Sequence, residues 1–98
     1  MSKKIIMFYG KGCLDSAIMM PTLLGINMGG KYKFEFVETW HDEEGKKMKE
    51  KYKSVLKETG KENAVPMFID VDSQKAIFAP NFEKLIGWLE GPEWWKKY

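Results

Sequence analysis

The sequence predicts an α/β fold: a four-stranded mixed sheet in the order β-α-β-α-β-β-α, with helices on both faces. Three observations lead there. An apolar run, IIMFY at 5–9, stands near the start and stops at a glycine. KYKFEFVETW, residues 31–40, alternates apolar and polar positions. Segments of helical periodicity separate and follow the strands, punctuated by glycine and proline. At 98 residues, with 44% hydrophobic and 14% aromatic content, the chain can cover one sheet with one core and has no length for a second domain. Residues 1–98 are therefore read as a single domain with a core at about 3–90 and an aromatic tail at 91–98.

Taken in order, KIIMFY at 4–9 has the length and flanks of a strand buried on both faces. Residues 10–13 form a turn. The spacing of Leu14, Ala17, Ile18 and Leu24 predicts a helix with these residues on its apolar face. Pro21 should bend that helix or start a second piece, and Gly25 with Gly29-Gly30 should end it. Residues 31–40 form a half-exposed strand, with Tyr32, Phe34 and Phe36 facing one way and Lys31, Lys33 and Glu35 the other. His41-Asp42 supply a loop and a helix cap. Residues 43–59 read as one charged helix with Met48, Tyr52, Val55 and Leu56 on its apolar side, stopped by Gly60.

NAVPMFIDV, 63–71, is a strand with Pro66 near its start, and AIFA, 76–79, pairs back on it as a hairpin across the turn 71–75. Pro80-Asn81 break the chain, and 82–90 form a last helix with Phe82, Leu85, Ile86 and Leu89 on one face. The first three strands alternate with helices, which favours parallel pairing with right-handed crossovers. The hairpin adds an antiparallel edge.

Charge and composition exclude several function classes. The formal charge is +2, and all sixteen basic residues are lysines. That charge is too small to argue for nucleic acid or an anionic membrane, and the bidentate fork of arginine is missing. The run from 42 to 62 holds six acids and seven lysines and reads as a solvated helix face with i,i+4 pairing. One cysteine rules out an internal disulfide framework, and one histidine leaves too few soft ligands for a transition metal. The apolar run near the N-terminus is too short for a signal peptide or a membrane span, so a cytoplasmic, reducing location is expected.

Cys13 carries the chemistry. It follows a strand and a Gly-Lys-Gly turn and stands where a helix begins. Unpaired backbone N–H groups and the helix dipole favour an anion there. Lys11 adds positive charge nearby, whereas Asp15 adds negative charge or caps the helix. Ser16 lies one turn along on the same side, where its hydroxyl can donate to the sulfur but cannot close a disulfide. The plain readings stand beside these: an inert core cysteine, an ordinary first-turn serine, a solvated Lys11, and a trans proline opening an edge strand at Pro66.

The order of elements, Cys13-Leu14-Asp15-Ser16 as a C-x-x-S motif, Pro21 five residues beyond Ser16, and Val65-Pro66 at the head of the third strand together resemble the thioredoxin-fold proteins. Within them, the chain resembles glutaredoxin-like and small thioredoxin-like members. The resemblance spans about residues 3–90. It implies a thioredoxin-like fold, a cis-proline at Pro66 facing the cysteine, and a groove of Lys11, Gly12, Leu14, Val65 and Pro66 that binds substrate, with the Val65 backbone pairing with it. It implies a disulfide or glutathionylated protein as substrate, with glutathione as a co-substrate and no resident cofactor. Where glutaredoxins carry Gly-Gly and an acidic residue, this chain reads AIFAPNFEK.

The expected function is thus thiol–disulfide oxidoreduction, with Cys13 as nucleophile and Ser16 beside it. Ser16 is either serine in its own right or a stand-in for a second cysteine or a selenocysteine. The alternatives are a non-catalytic binding module using the same groove and the aromatic tail, and a monothiol glutaredoxin-type iron–sulfur carrier. Trp94, Trp95 and Tyr98 either pack back on the sheet, the favoured reading, or form a contact patch.

Overall fold

A computed structural model describes residues 3–26 and 30–97. Its elements are β1 (Lys3–Tyr9), α1 (Leu14–Ile26), β2 (Tyr32–Glu38), α2 (Glu43–Lys51), α3 (Lys53–Lys57), β3 (Met67–Asp70), β4 (Lys75–Phe78), α4 (Phe82–Glu90) and a 3-10 turn at Trp94–Lys97. The four strands form one mixed sheet in the order β2-β1-β3-β4. β1 is central, and Ile5, Ile6, Met7 and Phe8 are all fully buried. An unbroken apolar run suits this position, since both its faces are covered.

Alternate residues feed two cores. Ile5, Met7, Tyr32 and Phe68 face Met19 and Leu23 of α1 and Leu85 of α4. Ile6, Phe8, Val37, Met67 and Ile69 face Leu56 of α3, with Met48 and Tyr52 at the rim. Helices therefore lie on both faces, as the periodicities predict.

Strand direction differs from the expectation. β1 and β2 are parallel, from Lys3 opposite Tyr32 to Tyr9 opposite Glu38. β3 runs antiparallel to β1, with Phe8 opposite Met67 and Ile5 opposite Asp70, and β4 is antiparallel to β3. The reason lies in the path of α2 and α3. α2 packs on β2, and α3 packs on β4 at the far edge. The pair crosses the sheet instead of running back along it, so β3 starts at the end where β1 finishes.

Several local expectations are corrected. Helix 43–59 is broken at Tyr52, whose φ of −102° and ψ of 15° end α2 and open α3. The break lets the Tyr52 ring tilt against Phe8, 6.2 Å between centroids. The ion pairs on this segment are i,i+3 rather than i,i+4: Glu43–Lys46, Glu44–Lys47 and Glu50–Lys53. Strand 63–71 shortens to Met67–Asp70, leaving Asn63 to Pro66 as a lead-in. Asp42 holds the N-cap position of α2 without a side-chain bond.

α1 runs unbroken past Pro21. Proline forfeits one backbone bond there. Met19 and Leu23, buried on either side, anchor the helix to the sheet, and Thr22 Oγ1 donates to the Ile18 carbonyl. Its inward face is not the one periodicity favoured. Ser16, Met19 and Leu23 are buried, whereas Leu14 and Ile18 are 71% and 62% exposed. Because apolar residues stand on more than one side of α1, spacing alone does not select a face. Gly29, Tyr98 and the Leu24 side chain lie outside the described residues. In the tail Trp94 is half-buried and Trp95 is 58% exposed, so packing is partial.

Candidate active site

The sheet brings the predicted site residues to one end. β1 and β2 finish together at Tyr9 and Glu38, and β3 starts at Met67 opposite Phe8. The turn at 10–13, the loop at 39–42 and the lead-in at 63–66 therefore cluster around the C-terminal end of β1. The start of α1 and the Val65-Pro66 pair both belong to this end.

The turn after β1 is closed by the Cys13 N–H, which donates to the Gly10 carbonyl at 2.9 Å. Gly12, at φ +104°, supplies the left-handed step that a side chain would resist. The Cys13 carbonyl then accepts from Ala17 N–H at 3.1 Å, which makes Cys13 the N-cap of α1. Its thiol is free and half-buried. Lys11, Gly12 and Leu14 around it are exposed.

Ser16 is 1% exposed, and its Oγ has no hydrogen-bond partner. The expected bond to the Cys13 sulfur is not formed. Asp15 is exposed and makes no cap.

Val65 and Pro66 are buried, and the peptide bond between them is cis, as the resemblance implies. The Pro66 carbonyl accepts from Ala79 N–H at 3.3 Å, tying the lead-in to the end of β4. Among the described residues, the Val65 N–H and carbonyl make no hydrogen bond. The side chain of Val65 is spent in the core while its backbone stays unpaired.

Sequence reasoning missed Glu38, the last residue of β2. Its carboxylate accepts from the backbone N–H groups of Lys11 (2.7 Å), Trp40 (3.1 Å), His41 (2.6 Å) and Asp42 (2.8 Å). The ring Nδ1 of His41 lies 3.2 Å away. Desolvation pushes its pKa up, but the backbone bonds from Lys11, His41 and Asp42 outweigh this and hold it far below the usual carboxylate range. Beside it Thr39 donates both its N–H and its hydroxyl to the Tyr9 carbonyl. The Trp40 indole covers Gly10, where a β-carbon would overlap the ring. In the sequence Glu38 is one more acid at the end of a strand, and no local pattern marks it.

Among the described residues no group of three or more His, Cys, Asp or Glu side chains is placed to hold a metal ion. Among the same residues no helix is long and apolar enough to cross a membrane. Compared with protein-family models, curated proteins and solved structures, the chain matches none.

Proposed function

We propose that the protein is a thiol–disulfide oxidoreductase of thioredoxin-like fold that acts through Cys13 on disulfide-bonded or glutathionylated proteins in a reducing, cytoplasmic setting. The observation that carries this reading is a free, half-buried thiol at the N-cap of α1, at the same sheet end as the unpaired backbone of Val65. The strand order β2-β1-β3-β4 with β3 antiparallel supports it. So does the alignment of Cys13, Pro21 and Val65-Pro66 with the family's motifs.

The chemistry balances with one external thiol. The Cys13 thiolate attacks one sulfur of the substrate disulfide, a Cys13–substrate disulfide forms, and the other substrate sulfur leaves as a thiolate that takes a proton. A second thiol, glutathione or one in the substrate, attacks the mixed disulfide and returns Cys13 as a thiolate. Lys11, Gly12 and Leu14 flank Cys13 along the chain and are exposed, and Val65 offers a donor and an acceptor to an extended substrate backbone. The first-turn backbone N–H groups of α1, which have no acceptor within the helix, face the thiolate as donors.

The test is the alkylation rate of Cys13 by iodoacetamide at neutral pH, folded against urea-unfolded. A faster reaction in the folded chain is expected, together with a single mixed disulfide on incubation with glutathione disulfide that Cys13→Ser abolishes. A folded thiol no faster than the unfolded one would sink the proposal. The second reading, a binding module without catalysis, is favoured by the exposed Leu14 and Ile18 next to the groove, and that slow outcome would select it.

A further inference from the structure

We propose that Glu38 is the positioning residue of this site: its carboxylate clamps the turn that carries Cys13 to the loop between β2 and α2. This rests on the reading of Cys13 as the nucleophile. Lys11, two residues before Cys13, has its N–H bonded to Glu38 at 2.7 Å, across 27 residues of chain. The same carboxylate gathers the N–H groups of Trp40, His41 and Asp42. Without it, four donors at this sheet end would need water or nothing. One of them sits in the turn that sets where α1 begins.

Glu38 is itself held on both sides. Its backbone pairs with Tyr9 at the end of β1. On the other side α2 presses so closely that a β-carbon at Gly45 would overlap the Glu38 carbonyl oxygen. The Trp40 indole, carried by the loop that Glu38 organises, lies over Gly10. Turn and loop are thus joined twice, by a carboxylate at Lys11 and by a ring at Gly10. Charge-assisted bonds are the stronger class, and one carboxylate accepting several of them is a rigid joint. Glu38 touches neither Cys13 nor substrate in this arrangement, so any effect on the thiol passes through the turn.

The experiment uses Glu38→Gln, which keeps the shape and loses the charge, and Glu38→Asp, which keeps the charge and loses the reach. Amide hydrogen exchange at Lys11 and Cys13 alkylation are measured in both. Exchange at Lys11 is expected to rise about tenfold or more, and alkylation to slow about tenfold. Exchange at Ile6 and Phe8 in the core should be unchanged. A simple field effect has the opposite sign, since removing a negative charge near a thiolate speeds its alkylation in the Gln variant. Unchanged Lys11 exchange, or unchanged or faster alkylation once Lys11 loosens, overturns the proposal. If wild-type Cys13 reacts no faster folded than unfolded, the nucleophile reading fails instead. Lys11 exchange then still decides whether Glu38 holds the turn.

Discussion

At the scale of single residues, two glycines permit close approaches. Gly45 is inside α2, where exchange of glycine for alanine usually stabilises a helix by about 1 kcal/mol. Here a β-carbon would overlap the Glu38 carbonyl oxygen, and backbone cannot rotate away as a side chain can. Gly45→Ala is therefore expected to destabilise by about 1–3 kcal/mol, read from urea unfolding. A stabilised variant would contradict the close approach. Gly10 meets the Trp40 indole instead, and a ring at the surface can yield, so Gly10→Ala should cost less. Ser16 differs: a hydroxyl buried without a partner lowers stability.

At the scale of elements, α1 is the informative case. Its sequence is apolar apart from Asp15, Ser16 and Thr22, and the sheet takes only the face of Ser16, Met19 and Leu23. Leu23→Ala should cost about 2–5 kcal/mol, whereas Leu14→Lys and Ile18→Lys should each change stability by less than about 0.5 kcal/mol. Thermal or urea unfolding of the three variants checks this, and a large loss at Ile18 would reverse the assigned faces. α4 is easier to read, because Leu85 and Ile86 are buried and Phe82 and Leu89 flank the core that holds Leu85. Its start is fixed by Asn81, whose side chain accepts from Lys84 N–H at 2.9 Å. That cap sits where the sequence showed only a break.

At the scale of the whole molecule, two carboxylates set the acid limit of the fold, one at each end of the sheet. At Asp70 burial pushes the pKa up, but the Ser73 N–H and the Lys3 ammonium outweigh it and leave it lowered. At Glu38 desolvation is outweighed in the same way by backbone N–H groups. Both stay ionised in the fold at a pH where the unfolded chain takes up protons. Their stabilisation is complete above the ordinary carboxylate range near ~4 and is lost as pH falls through and below it. The urea midpoint should be flat from pH 7 to about 5 and then drop, with a shallower acid limb in Asp70→Asn. A midpoint that rises between pH 5 and pH 3 would contradict the sign. The sequence by itself determined that β1 is buried on both faces, that strands and helices alternate in this order, and that Cys13 opens a helix, because periodicity and glycine placement are local properties. The tertiary structure alone decided that β3 runs against β1, that α1 turns Leu14 and Ile18 outward, that Tyr52 breaks the long helix, and that Glu38 gathers four amides. Each of these depends on which surface meets which across the sheet, and partners 27 residues apart, like Lys11 and Glu38, leave no mark in the spacing of either.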